Sequence, residues 1–149
     1  MKTVFLSLPM KNRTDEDIKQ TIKSMARIIL AMYPGEDIQF VDNFNSSHSF
    51  TNEEKDKAKN KSLLYLGEAI QRMAHCDHIA VIENHNCNLY NYRGCYIEEE
   101  VARNYGLHFI TINDPDGSIL LPDIKAKVEE ERVDEERKAC PIMYLQTQK

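Results

Sequence analysis

The chain opens on Thr3-Val4-Phe5-Leu6-Ser7-Leu8, a short and mostly apolar run stopped by Pro9. Such a run predicts a strand buried on both faces, at the centre of a sheet rather than its edge. The apolar positions then change period. Thr14, with Asp17 three residues on, gives a capping-box-like start, and Ile18, Ile22, Met25, Ile29 and Met32 recur at helical spacing until Pro34-Gly35. Ile38-Gln39-Phe40-Val41, β-branched and aromatic between turn signals, reads as a second strand. After a polar loop from Asp42 to Thr51, a second helix is expected from near Asn52. Its turns from Glu53 to Lys61 are nearly all charged, whereas Leu63, Leu66, Ile70 and Met73 form one stripe, so only the second half is expected to pack. Asp77 precedes a third strand, His78-Ile79-Ala80-Val81-Ile82, and Glu83 to Arg93 forms a loop of Asn, His, Cys and Tyr. A third helix follows from about Gly94 to Tyr105, with Gly106 where a left-handed C-terminal glycine belongs, and His108-Phe109-Ile110-Thr111-Ile112 completes a fourth strand.

Strands alternating with helices at this spacing mean βαβ units, hence an α/β domain with helices on both faces of a parallel sheet. The expected architecture is three-layered and flavodoxin- or Rossmann-like, with four to five strands in the order 2-1-3-4. Ligand sites of such sheets lie at the carboxyl ends of the strands, where the order reverses, here between strands 1 and 3. Ser7, Pro9 and Met10, Glu83 and Asn84, and the opening turn of the third helix would surround that crevice. Ser118 to Lys149 is expected to hold a charged surface helix, Pro122 to Lys138, and an apolar tail, Cys140 to Leu145, that docks elsewhere, on another subunit in one reading.

At 149 residues the chain fits one compact domain. A net charge of -5 argues against a broad grip on a nucleic-acid backbone, so duplex nucleic acid is not an expected partner. No apolar run approaches the length of a membrane span, and Met1-Lys2 is followed by too short an apolar stretch for a secretory signal. A cytoplasmic location is expected, with Cys76, Cys87, Cys95 and Cys140 as free thiols.

One carboxylate stands out. Stepping 100° per residue from Gly94 places Ile97, Val101, Tyr105 and Ala102 on an inward arc, and Glu98 falls inside it. Glu99, Glu100, Arg103 and Asn104 fall outside. An inward carboxylate early in a helix is a candidate nucleophile or hydroxyl acceptor. Alternatively, Glu98 satisfies free N–H groups at the helix start or pairs with Arg93.

The order Phe5-Leu6-Ser7-Leu8-Pro9-Met10, Tyr65-Leu66-Gly67-Glu68 through Met73, Cys76-Asp77, and Arg93-Gly94-Cys95-Tyr96-Ile97-Glu98 with Ala102 and Gly106 resembles the nucleoside 2-deoxyribosyltransferase-like superfamily. The likeness is nearest to a phage-type branch with an SLPM start and a GCxxE helix, and it spans about residues 1 to 112. It implies a nucleoside or nucleotide substrate and attack by Glu98 on the anomeric carbon to give a covalent glycosyl-enzyme. It also implies a binding role for the loop after strand 1, and a homo-oligomer in which a neighbour lends residues, Tyr144 among them. Two positions depart from the family pattern. Glu100 stands where a Gly is usual, and Ala69 stands where an Asp protonates the leaving base, with Glu68 one residue away. A non-catalytic nucleotide-binding module, sensing or sequestering, is therefore the alternative.

Other groups also carry candidate chemistry. Arg93 beside Gly94 offers a bidentate fork and helix-start N–H groups to a phosphate. Cys95 is either a thiol with a depressed pKa or a small side chain at a close helix–sheet approach. Tyr90, Tyr92 and Tyr96 either stack on a base or anchor the loop. Glu83 is an alternative acid or a solvated strand-end carboxylate. His75-Cys76-Asp77-His78 and His85-Asn86-Cys87 match no standard metal spacing. On that ground no metal is expected, and with no dinucleotide or P-loop glycine pattern no cofactor is expected either.

Overall fold

The structure, a computed structural model, describes residues 1–11, 13–45, 47–83 and 93–115. Among the described residues eight elements follow one another: β1 (Lys2–Ser7), α1 (Asp15–Met32), β2 (Ile38–Val41), α2 (Asn52–Lys57), α3 (Lys61–Met73), β3 (His78–Glu83), α4 (Arg93–Asn104) and β4 (His108–Asn113). All strand pairs are parallel and the sheet order is β2-β1-β3-β4, as the sequence predicts.

Alternation along the strands sorts the core into two layers. Val4, Leu6 and Leu8, with Ala80, Ile110 and Ile112, pack against Ile18, Met25 and Ile29 of α1. Phe5, Ile79 and Val81 face the other way, onto Ala69 and Met73 of α3 and Ala102 of α4. With α1 on one face and α3 and α4 on the other, the arrangement is a three-layer, Rossmann-like α/β fold. Burying each large α1 side chain contributes about 1.5–3 kcal/mol. The Thr14 hydroxyl accepts from the Asp17 amide and caps α1, confirming the predicted start. Gly35 and Gly106 both have φ +78°, the left-handed conformation in which a side chain is strained.

Three expectations need correction. The single second helix is two: α2 ends at Lys57, and Ala58 adopts an extended conformation (φ -68°, ψ 130°) before α3 begins. No residue of α2 is buried, so no packing holds the charged turns in line with α3. The apolar stripe of α3 is also rotated from the predicted one. Leu63 and Ile70 are exposed, whereas Glu68, Ala69 and Met73 are buried. Tyr105 likewise leaves the predicted inward arc, because α4 ends at Asn104 and Tyr105 is 81% exposed.

No helix among the described residues is long and apolar enough to cross a membrane. Asn84, His85, Cys87, Tyr90, Tyr92 and the segment from Ser118, with Cys140 and Tyr144, lie outside the described residues.

Candidate functional site

Ser7 is the last residue of β1, with its side chain on the α3–α4 face between Phe5 below and the loop above. Glu98 sits in the second turn of α4, one turn before the sheet-packed Ala102. The two meet: Ser7 Oγ donates to Glu98 Oε1 at 2.7 Å, and both residues are buried, at 3% and 8% exposure. The inward turn of Glu98 is thus as predicted. Its partner is the strand-end hydroxyl; Arg93 is exposed. Glu99 and Glu100, placed outward by the helical wheel, are half-buried, while Arg103 and Asn104 are exposed.

Burial raises the Glu98 carboxyl to about 7, outweighing the Ser7 hydrogen bond, which favours the ionised form; the Glu99 charge adds to the rise. The early-helix dipole noted from the sequence does not win against desolvation. Glu99 is itself raised, chiefly by burial, with Arg103 opposing and the Glu100 and Glu83 charges adding. Glu83 is exposed at the end of β3, as a solvated carboxylate would be.

Cys95 lies one turn before Glu98 and feels the Ser7 hydroxyl as well as the Glu98 and Glu99 charges. Burial and those carboxylates push its thiol up, so of its two readings the low-pKa thiol is overturned. Pro9 is buried and Met10 half-buried in the loop after β1, Gly94 is exposed, and Tyr96 is half-buried. The structure therefore brings Ser7, Cys95 and Glu98 together at the carboxyl end of β1. Arg93 and Glu83 stand nearer the surface.

Arg13 is a residue the sequence reading missed. Its guanidinium donates to the Pro9 carbonyl at 2.7 Å, the Asp17 carbonyl at 3.1 Å and the Thr21 hydroxyl at 2.5 Å, which ties the loop after β1 to the first turns of α1. Its charge also reaches Cys95. Its signal in the sequence is its place, a long cation between a strand end and a helix cap.

Glu68 answers to other partners. Ala69 faces the sheet, and Glu68, turned 100° from it, lies on the flank shared with Tyr65 and Arg72. There it accepts from the Ser49 amide, meets His48 Nδ1 at 2.7 Å and lies 3.7 Å from the Arg72 guanidinium. Arg72 also donates to Asn43 Oδ1 and to the Ser47 carbonyl, while Asn43 donates to the Tyr65 carbonyl. The rings of His48, Phe50 and Tyr65 pack together. These bonds overcome the cost of burial and hold the Glu68 carboxyl below its ordinary value. The result is a latch of the loop after β2 onto α3. Among the described residues, no group of three or more His, Cys, Asp or Glu side chains is arranged to hold a metal ion. The chain matches no protein-family model and no curated protein.

Proposed function

We propose that the chain binds a nucleoside or nucleotide at the carboxyl ends of β1 and β3 and cleaves or transfers its N-glycosidic bond through Glu98. The observation that carries this reading is the buried Glu98 carboxylate held by Ser7 at the end of β1, where the strand order reverses. The ionised carboxylate attacks the anomeric carbon as the carbon–nitrogen bond breaks, and the electron pair of that bond leaves with the base. A glycosyl ester of Glu98 forms, and water or a second base then displaces the carboxylate. Ser7 orients the attacking oxygen by holding its neighbour on the same carboxylate. Arg93 and the exposed start of α4 receive any phosphate, and Pro9 and Met10 wall the sugar side.

One observation favours the second reading, a module that binds the nucleotide without breaking it. The α3 position that bears an acid in the transferases is here Ala69, fully buried against the sheet, and Glu68 is engaged by the loop after β2. Incubation with deoxynucleosides and deoxynucleoside monophosphates, beside Glu98→Ala, separates the two. Release of free base by the wild type alone supports the enzyme. Saturable calorimetric binding with the ligand recovered intact supports the module, and absence of both binding and release removes both readings.

A further inference from the structure

At the opposite, amino-terminal end of the sheet, β3 and β4 each begin with a histidine. His78 and His108 are register partners on neighbouring parallel strands and project to the same face as Ala80 and Ile110. Their ring centroids are 5.3 Å apart and tilted by 43°. His108 is exposed and His78 half-buried. Asp77 fixes the second ring: its Oδ1 lies 2.7 Å from His78 Nδ1 and also accepts from the Thr3 amide at 3.0 Å. An ionised carboxylate only accepts, so Nδ1 carries the proton. In the neutral ring, that leaves the Nε2 lone pair directed away from Asp77.

We infer that His78 and His108 form a two-imidazole site for a divalent transition-metal ion of the borderline class, such as nickel or zinc, with Asp77 as the carboxylate that orients His78. The register of the neighbouring strands sets the 5.3 Å separation of the rings, and it is one that a single ion can bridge. Two imidazoles on one tetrahedral ion, with metal–nitrogen bonds of about 2.0–2.1 Å, have ring centres about 5.2 Å apart. The carboxylate–imidazole–metal chain is the usual way a protein fixes the tautomer of a ligating histidine. Two protein ligands are fewer than a closed structural site uses, so water completes the shell and the ion exchanges readily. Bound there, it would clip β4 to β3 at the end of the sheet remote from Ser7 and Glu98. The site is independent of any chemistry at Glu98.

The test is calorimetric titration of the full chain with nickel(II) at pH 7.5, repeated on His108→Ala, His78→Ala, Asp77→Asn and His75→Ala. Because His108 is exposed, His108→Ala keeps the fold, which circular dichroism checks. The expected result is one saturable equivalent. Its affinity should fall at least tenfold in either site-histidine variant and about tenfold or more in Asp77→Asn, and stay unchanged in His75→Ala. The melting temperature should rise with nickel in the wild type and not in His108→Ala. Absence of saturable binding, or identical uptake by the wild type and His108→Ala, overturns the site.

Discussion

Replacing Glu98 by Gln should stabilise the fold at neutral and alkaline pH while leaving it nearly unchanged at pH 4. Glu98 is buried, and its carboxyl is raised from 4.5 to about 7. Below 4.5 the group is protonated in the folded and the unfolded chain alike, and it costs nothing relative to a neutral amide. Between 4.5 and 7 the unfolded chain releases the proton and the folded chain keeps it. The advantage of the protonated form is lost over that window, at about 1.4 kcal/mol per pH unit, and the total reaches about 3 kcal/mol above pH 7. Gln has nearly the same shape, and its carbonyl oxygen still accepts from Ser7 Oγ, so the comparison isolates the charge. Urea unfolding of both proteins at pH 4, 5, 6, 7 and 8, analysed at constant m-value, gives the difference directly. It should rise from pH 5 and flatten near pH 7 to 8. A difference independent of pH, or one favouring the wild type above pH 7, would refute the claim that burial governs this carboxyl.

Four further outcomes are expected. In the proposed reaction the nucleophile must be ionised, so with a carboxyl near 7 only about one molecule in ten is active at pH 6. The initial rate should therefore fall about tenfold between pH 8 and 6, and a profile flat over that range would exclude Glu98 as the titrating nucleophile. Ser7→Ala removes a donor from a buried carboxylate; it should cost about 1–3 kcal/mol in urea unfolding at pH 8 and move any rate profile to higher pH. For Glu68, whose folded carboxyl is depressed, stability is present above the ordinary carboxyl value and lost as pH falls through the folded one. Glu68→Gln should thus narrow the gap to wild type in acid, with faster amide exchange at Ser49 seen by NMR. Ile29→Ala, at a fully buried position, should cost about 2–5 kcal/mol by the same denaturation assay.

The fold was legible because its signals are local and periodic. The apolar run of β1, the stripe Ile18, Met25 and Ile29, and Gly106 after α4 each follow from a few neighbouring residues, and right-handed crossovers then leave few strand orders. The errors arise where neighbours in space decide. Leu63 and Ile70 continue an apolar stripe yet face solvent, because the flank of α3 bearing Glu68, Tyr65 and Arg72 is claimed by the loop after β2. Nothing in the spacing of residues 43–50 announces that contact. The break at Ala58 was equally hidden, since charged helix formers carry full local propensity and lack only something to pack against.

At the candidate site the division is similar. By itself the sequence determined that Glu98, alone among Glu98, Glu99 and Glu100, turns inward, since a 100° step per residue admits only one of the three to the packed arc. Tertiary structure decided what that carboxylate meets and how strongly it holds its proton. Ser7 lies 91 positions away, the Arg13 charge acts on Cys95 at the carboxyl end of the sheet, and desolvation outweighs the helix-start field. Periodicity is carried by the backbone and can be read along the chain, whereas the cost of burying a charge depends on every atom that replaces water around it, and those atoms are brought together only by folding.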